Sequence, residues 1–359
     1  MKDKLNSLPS SPGVYLMKDY HGGIIYVGKS KNLKQRVQSY FYKSKSHSNK
    51  VKRMVSQIKD LEYRVTDTEF EAFMLECKLI HEIKPVYNKK MKNPLGYTYI
   101  LIHAGKGLRS IEVTNVLPAN ETPVCFGPYT ANRNTVEKAV QGIRDCFKIA
   151  CNQSGFSGSP CLNHSLGLCL GMCAGGEAEV KEYNEILDRI ISLLDGTDRG
   201  LYTEMVKRMQ DAAERFDFEA AAKYRDQLDT VNYLLNKEKV IGFTEENRNI
   251  VITEKLDDNT VKLFLVKRNR VLISKKFNLQ VHPSPEVLIK EQTELILSCF
   301  REDPETAAAC AGDITRDEID EAQIIYSYLQ GSSCNYFHLP QEWIDSQDTA
   351  GIEEALINL

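Results

Sequence analysis

Six side chains near the start of the chain have types and spacings that suit chemistry on a phosphodiester. They comprise three phenols, two cations and one carboxylate: Tyr15, Tyr26, Tyr40, Lys29, Arg36 and Glu76. Cations can stabilise the negative charge that builds up on a phosphate during hydrolysis, and a carboxylate can hold a hard cation such as magnesium. A phenol kept near an ammonium could take a proton from the attacking water. The set therefore predicts metal-dependent hydrolysis of a phosphodiester.

A hairpin and the helix after it must position the phenols and cations. Residues 13–15 and 24–27 predict two short strands around a turn at 22–23, and Lys29 directly follows the second strand. Residues 32–41 predict a helix with an apolar face. Three polar residues of this helix recur every four positions and so share one face: Asn32, Arg36 and Tyr40.

A second helix, predicted over residues 68–83, must supply the carboxylate. Glu76 is the single acid on an apolar stripe that contains Phe73, Leu79 and Ile80. Because burial of an unpaired charge is costly, this carboxylate needs a partner. The partner is either a lysine, in an ordinary ion pair, or a hard cation such as Mg²⁺ or Mn²⁺.

Charge is distributed unevenly along the chain. Residues 1–60 contain thirteen Lys and Arg against three Asp and Glu, whereas the whole chain carries a formal net charge of −3. A basic end beside an acidic body suggests a module that binds an anionic polymer such as DNA. The alternative is a solvated, lysine-rich face.

Length and hydropathy bound the class of protein. The chain has 359 residues, more than usually fold around a single hydrophobic core, so its length predicts at least two domains. No apolar run approaches the length of a membrane span, and the first residues lack the apolar core of a signal peptide. We therefore expect a cytoplasmic protein without membrane contact, in which the ten cysteines stay reduced.

Residues 146–176 are crowded with Gly, Ser and Cys and have too little apolar bulk for a core of their own. Such segments are commonly held by a metal. Four cysteines separated by nine, seven and three residues could wrap one soft metal centre: Cys151, Cys161, Cys169 and Cys173. Spacing alone does not choose between zinc and an iron–sulfur cluster, and unligated structural cysteines are the third possibility.

Residues 204–236 predict a helical hairpin. An apolar stripe runs along it at spacings of four, three and four residues: Met205, Met209, Ala212 and Phe216. A hairpin this short cannot bury its stripe alone, so the stripe must dock on a partner or on the rest of the chain. We expect the stripe and Phe218 to be exposed for a partner.

Taken together, these motifs resemble the GIY-YIG nuclease family. The short signatures are Gly13-Val14-Tyr15 and Tyr26-Val27-Gly28, followed by Arg36 and Glu76. Longer stretches resemble its UvrC branch, the incision proteins of bacterial nucleotide excision repair: "LPSSPGVYLMKD", "IYVGKSKNLKQRVQSYF", "TDTEFEAFMLECKLIHEIKPVYN" and "CFGPYT". The resemblance covers at least residues 8–240.

The resemblance implies roles for individual residues. Tyr26, Lys29, Arg36 and Tyr40 match the catalytic pocket, with Glu76 as the single ligand of Mg²⁺ or Mn²⁺. Asn32 and Asn88 match supporting polar positions, and either Tyr26 or Tyr15 matches the general base. The four cysteines match a [4Fe–4S] site, with Zn²⁺ as the alternative.

The resemblance also implies partners. The stretch "FDFEAAAKYRDQL" resembles the UVR motif, through which UvrC proteins pair with UvrB and so, indirectly, work with UvrA. Six residues match that motif: Phe216, Phe218, Glu219, Ala222, Arg225 and Asp226.

The predicted fold is multidomain α+β. Four regions are expected: a GIY-YIG endonuclease domain with a small antiparallel sheet (1–95), a connector with the four-cysteine cluster (96–200), a UVR-like helical hairpin (201–238), and a strand meander with helices (239–359). The sequence has no strand-borne aspartate followed by Ser-His and no paired hairpins. The resemblance therefore predicts a shortened UvrC-like or Cho-type protein without a complete RNase H-like nuclease.

The leading functional prediction is a DNA endonuclease that UvrB recruits and that incises one strand, by family expectation 3′ to a lesion. A catalytically silent factor that binds UvrB or DNA is the first alternative, and the complete set of pocket residues argues against it. A mobile-element GIY-YIG nuclease is the second, and the UVR-like hairpin and the cysteines argue against it.

Overall fold

The structure, a computed structural model, divides into two compact units: residues 1–94 together with 243–359, and residues 95–242. It describes residues 2–42, 48–88, 97–104, 109–118, 123–129, 133–151, 158–281, 284–301 and 315–359. No helix within these ranges is long and apolar enough to span a bilayer.

A three-stranded antiparallel sheet organises the N-terminal part of the first unit, with strand order β2-β1-β3. Its elements are α1 (Lys2–Asn6), β1 (Gly13–Lys18), β2 (Ile24–Ser30), α2 (Leu33–Phe41), α3 (Asn49–Gln57), β3 (Asp60–Val65) and α4 (Glu69–Ile83). Successive side chains of a strand point to opposite faces, so β1 serves two cores. Tyr15 and Met17 pack with α2 and α3 on one face, and Val14 and Leu16 pack with α4 on the other.

A four-stranded antiparallel sheet with order β10-β7-β8-β9 forms the C-terminal part of the same unit. Its elements are β7 (Asn249–Asp257), β8 (Thr260–Lys267), β9 (Arg270–Asn278), α10 (Pro285–Arg301), α11 (Arg316–Leu329), β10 (Asn335–Leu339), α12 (Gln341–Ser346) and α13 (Thr349–Ile357). Val251, Leu263 and Phe277 pack against helices α10, α12 and α13 to form its core.

The second unit combines a three-stranded sheet of order β5-β4-β6 with helices. Its elements are β4 (Thr98–His103), β5 (Ser110–Thr114), β6 (Val124–Tyr129), α5 (Arg133–Cys146), α6 (Leu162–Ser165), a 3₁₀ turn (Met172–Ala174), α7 (Glu177–Leu194), α8 (Gly200–Glu214) and α9 (Phe218–Glu245). One apolar core joins this sheet to α5, α7, α8 and α9.

The predicted α+β class with a small N-terminal antiparallel sheet is confirmed, but some element limits were wrong. The sequence Phe126-Gly127-Pro128-Tyr129 predicts a turn, but these residues belong to β6, because Phe126 pairs with Ile100 of β4. The predicted region of the strand meander begins at residue 239, inside α9, which continues to Glu245, and the first strand starts only at Asn249. The Lys- and Arg-rich residues 47–58 predict a helix, which is found as α3 from Asn49 to Gln57, and residue 47 lies outside the described residues.

Candidate active site

Three tyrosines converge on one face of the N-terminal sheet. Tyr15 lies in β1, Tyr26 in β2 and Tyr40 in the last turn of α2, and their ring centres are 6.0 to 6.2 Å apart. The hydroxyl groups of Tyr15 and Tyr40 form a 2.9 Å hydrogen bond. The sequence prediction that these phenols share a site agrees with this geometry.

Gly28 permits this convergence. Tyr15 of β1 lies directly opposite Gly28 of β2 in the strand register. A Cβ atom at Gly28 would lie 2.4 Å from the Tyr15 hydroxyl oxygen and 2.5 Å from its ring carbon Cζ. The glycine of the second signature therefore provides the space in which the Tyr15 ring lies across the neighbouring strand.

Arg36 supplies positive charge beside the phenols. Its guanidinium carbon lies 5.1 Å from the centre of the Tyr40 ring, and the residue is exposed at the surface of α2. Burial, the nearby Tyr40 and the Glu76 carboxylate raise the pKa of Tyr26, and the Arg36 charge opposes them. Burial also raises the pKa of Tyr15 well above its ordinary value. Both phenols therefore keep their protons at neutral pH in this arrangement.

Glu76 lies at the middle of α4, half-buried beside β2. Its Oε1 atom accepts a 3.0 Å hydrogen bond from the backbone N–H of Lys29. The proximity of Glu76 to Tyr26 is the reason that its charge acts on that phenol. Of the predicted tyrosines, Tyr26 is therefore the one on which the Glu76 charge is seen to act.

The Lys29 ammonium lies against the first turns of α4. Nζ is 2.7 Å from Oε1 of Glu69 and 3.9 Å from the centre of the Phe73 ring. Neither contact was predicted as part of the site, because the acid at position 69 has an ordinary role at the positive end of a helix dipole. The spacing of four residues between Glu69 and Phe73 is the signal that could have indicated a shared face.

The two asparagines have distinct supporting roles. Asn88 bonds the backbone of Val27 twice: Oδ1 accepts from N–H at 3.0 Å and Nδ2 donates to the carbonyl at 2.8 Å. β2 is an edge strand, and the Asn88 side chain makes the two hydrogen bonds to Val27 that a neighbouring strand would otherwise make. Val27 lies between Tyr26 and Gly28 in the sequence. Asn32 caps α2, since its side chain accepts the N–H of Gln35 at 2.9 Å.

The cysteines of the second unit form a separate cluster. The sulfur atoms of Cys151, Cys161 and Cys173 all lie within 4.8 Å of one another, and Cys169 lies within hydrogen-bonding reach of Cys161. Desolvation acts to raise the pKa of the Cys161 thiol, but the backbone of His164 and the neighbouring thiols lower it to about 7. Thiolates are the form that binds a soft metal.

The helical hairpin of α8 and α9 buries its stripe on the chain itself. Met205 and Ala212 are buried within the second unit, so the prediction that the stripe is exposed was wrong for these residues and holds only for Phe216 at its end. Phe216 and Phe218 protrude instead, with 79% and 67% of their surface exposed. Of the other residues of the motif, Glu219, Arg225 and Asp226 are exposed and Ala222 is half-buried.

Three family models match the chain in sequence order. A UvrC-like GIY-YIG domain matches residues 11–89, the middle domain of the UvrC/Cho excinucleases matches 97–193, and the UvrB/UvrC motif matches 201–232. UvrABC system protein C of Alkaliphilus oremlandii is 33% identical over 342 residues, which cover 93% of this chain and 54% of the relative. The same protein of Clostridium tetani is 36% identical over 283 residues, 77% of this chain and 45% of the relative.

This chain therefore spans about half the length of the curated relatives it matches. Among solved structures, the GIY-YIG N-terminal endonuclease domain of UvrC from Thermotoga maritima, bound to magnesium, is 39% identical. The match covers 24% of this chain and 94% of that domain, with a TM-score of 0.23. With its GIY-YIG domain, middle domain and UvrB/UvrC motif in this order, the chain belongs to the UvrC family.

Proposed function

We propose that this chain is a metal-dependent DNA endonuclease of nucleotide excision repair that hydrolyses one phosphodiester bond, on the 3′ side of a lesion. The observation that carries the proposal is the convergence of Tyr15, Tyr26, Tyr40 and Arg36 on one face of the N-terminal sheet, with the Glu76 carboxylate of α4 near enough to Tyr26 for its charge to act on that phenol. The basic composition of residues 1–60 supports a polyanionic substrate.

Glu76 suits a single-carboxylate cation site. Hard divalent cations prefer oxygen ligands, and this carboxylate is half-buried and near enough to Tyr26 for its charge to raise the pKa of that phenol. A Mg²⁺ or Mn²⁺ ion held by Glu76 would supply positive charge close to the Tyr26 hydroxyl and to a bound phosphate. The Lys29 N–H fixes the orientation of the carboxylate.

We assign the proton acceptor to Tyr26 rather than to Tyr15. A cation held by Glu76 would lower the pKa of the Tyr26 hydroxyl, which would release its proton to solvent and, as a phenolate, take the proton of the attacking water. Tyr15 has 1% of its surface exposed and bonds Tyr40, so it is poorly placed to reach a water molecule and instead orients the other phenol. Tyr26 is half-buried and adjacent to Glu76. Arg36, exposed beside Tyr40, is suited to bind the phosphate and to stabilise its added negative charge. Lys29 would approach the phosphate after leaving Glu69.

For partners, we propose DNA and UvrB, with UvrA acting through UvrB, in the cytoplasm. Support for UvrB comes from the motif match and from the two exposed phenylalanines at the turn between α8 and α9. Phe216 adopts a left-handed backbone conformation with φ +60°, which is unfavourable for a residue with a side chain. An exposed aromatic residue with a strained backbone suits a binding surface better than a structural one.

For the second metal centre, we propose a [4Fe–4S] cluster held by the four cysteines, with Zn²⁺ as the alternative. The grouping of the cysteine sulfurs supports binding of a soft metal, but it does not favour the iron–sulfur cluster over zinc. Protein purified without oxygen should contain iron and acid-labile sulfide, which Cys161→Ser should remove and Cys125→Ser, outside the cluster, should not. Stoichiometric zinc without iron in the wild-type protein would exclude the cluster.

A nicking assay tests the proposed activity. In the presence of UvrA, UvrB and Mg²⁺, the purified chain should cut the damaged strand of a lesion-containing duplex once, and EDTA should stop the reaction. If the chain binds UvrB but leaves the damaged strand uncut, it would instead be a binding factor without nuclease activity. Equal cutting of undamaged DNA without UvrA and UvrB would indicate a nuclease of the mobile-element type.

A further inference from the structure

Helix α4 is shared by the two parts of the first unit. On one side Ala72, Leu79 and Ile80 pack against β1 and β2, and Glu76 accepts the Lys29 N–H. Its other residues meet the C-terminal sheet and α11, so the helix that carries the proposed cation ligand lies between two layers. A residue in the C-terminal part of the unit that holds α4 in place therefore also influences the position of Glu76.

Lys262 of β8 is such a residue. The residue is 5% exposed, and its ammonium lies 2.6 Å from Oδ2 of Asp67 and 2.9 Å from Oε1 of Glu71. From β9, Ser274 donates a 2.6 Å hydrogen bond to the same Glu71 oxygen, and Lys276 lies 2.8 Å from Asp67. Two neighbouring strands therefore converge on the residues that begin α4.

Glu71 also caps the helix. Its other oxygen accepts the N–H groups of Asp67 and Thr68 at 3.0 and 3.2 Å, while the Thr68 hydroxyl accepts the Glu71 N–H at 3.1 Å. This capping box satisfies N–H groups that would otherwise lack partners at the helix start. The Glu71 carboxylate therefore caps the helix with one oxygen and pairs with Lys262 through the other. Through this carboxylate, the ion pair helps to fix the orientation of the first turn of α4.

The next residues of α4 are held by the same region. The Phe70 ring stacks on Tyr328 of α11 with 4.1 Å between centres and an interplanar angle of 6°, and its edge meets Phe264 of β8. Tyr328 in turn donates a 2.5 Å hydrogen bond to Glu254. Burial, followed by the charges of Glu71 and Glu69, raises the pKa of Glu254, which indicates how closely these acids approach one another.

We propose that Lys262 is a positioning residue of the nuclease site, acting through the start of α4 on Glu76 and, through Glu69, on Lys29. This inference rests on the proposed function. Removing the Lys262 charge leaves the carboxylates of Asp67, Glu71 and Glu254 facing one another with less compensation. Their repulsion loosens the first turn of α4, which contains Glu69 and leads into the turn with Glu76.

The test compares Lys262→Met with Lys255→Met in the whole chain. Lys255 lies at the end of β7 in the same sheet, but its exposed ammonium pairs with Asp258 rather than with α4. Lys262→Met should raise the Mg²⁺ concentration for half-maximal nicking by about tenfold, as do other residues that orient a metal ligand. The affinity for DNA should stay close to that of wild type, and Lys262→Arg should restore the wild-type Mg²⁺ requirement.

Calorimetric titration with Mn²⁺ provides a readout that does not need activity. Lys262→Met should bind Mn²⁺ about tenfold more weakly than Lys255→Met. If the wild-type chain fails to nick any duplex, the proposed function is wrong, but the titration still tests the positioning role. An unchanged Mn²⁺ affinity and Mg²⁺ requirement in folded Lys262→Met would overturn the inference.

Ser274→Ala keeps the inference testable if Lys262→Met does not fold. It removes only the hydrogen bond to Glu71, and it should weaken Mn²⁺ binding by about threefold, a share consistent with the net value of one hydrogen bond. No change in Mn²⁺ affinity in that variant would contradict the inference.

Discussion

At Gly28 the two strands of the hairpin leave no room for a side chain, because the Tyr15 hydroxyl occupies the place of a Cβ atom. The same hydroxyl bonds Tyr40, so the space at Gly28 determines the position of the second phenol as well. Tyr26 and Gly28 flank Val27, whose backbone Asn88 holds by two hydrogen bonds. The residues of the signature therefore form one packed unit that holds the phenols in place.

Gly28→Ala tests this packing. The added methyl group should displace the Tyr15 ring, lower the free energy of unfolding by about 1–3 kcal/mol and strongly reduce nicking. Denaturant unfolding and the nicking assay measure the two effects. Gly23→Ala in the same hairpin is the control, because its Cβ would meet only the flexible Asp19 side chain, at 3.4 Å. Similar losses in both variants would contradict a specific role for the space at Gly28.

Among the elements, those with strong local signals could be predicted from the sequence. The helix predicted over residues 68–83 is found as Glu69–Ile83, since Thr68 and Glu71 cap its start and Pro85 follows its end. Strands that depend on distant pairing were missed: β10 is defined by its pairing with β7, and β6 by its pairing with β4. The burial of Lys262 could not be predicted, because a lysine in a strand is ordinarily exposed.

At the C-terminal end of α4, His81 makes the packing against α11 sensitive to pH. Burial lowers the pKa of His81, but the hydrogen bond to Asp320 and the charges of Asp317 and Glu321 outweigh it and raise the pKa above its ordinary value. The neighbouring Cys77 thiol stays neutral, because burial raises its pKa. Protonated His81 therefore stabilises the fold fully below about pH 6.5, and this contribution is lost as the pH rises through the raised pKa of the folded state.

Urea unfolding at pH 6.0 and pH 8.5 should reveal this contribution. His81→Gln should lower the free energy of unfolding by about 1 kcal/mol more at the lower pH than at the higher one, as expected for one hydrogen bond to a charged group. His21→Gln, exposed in the turn of the N-terminal hairpin, serves as the control and should lose little free energy of unfolding at either pH. An equal loss at both pH values in His81→Gln would show that the charge of His81 has no part in the packing.

At the scale of the whole molecule, the chain combines a site in one unit with a cysteine cluster and an exposed aromatic pair in the other. The aromatic pair lies at one end of the hairpin, whose stripe is buried in its own unit. Recruitment and chemistry should therefore be separable by mutation, because no residue of the proposed UvrB surface belongs to the proposed nuclease site.

Phe218→Ala tests the separation. Truncation of an aromatic anchor in an interface costs about 2 kcal/mol, so binding to UvrB should weaken about thirtyfold and lesion-dependent nicking should fall with it. Metal-dependent cutting of simple DNA should stay unchanged. Tyr233→Ala, another exposed aromatic position of α9, is the control and should bind UvrB normally. Normal UvrB binding by folded Phe218→Ala would remove this surface from the proposed interface.

The most direct measurement of the central claim is the rate of Mg²⁺-dependent DNA nicking by Glu76→Gln in the whole chain. Glutamine keeps the size of the side chain but removes the charge that would hold the cation, so the rate should fall about a hundredfold or more while DNA binding persists. Glu82→Gln, exposed on the same helix, should nick at the wild-type rate. Nicking at the wild-type rate by Glu76→Gln would contradict the assignment of this site.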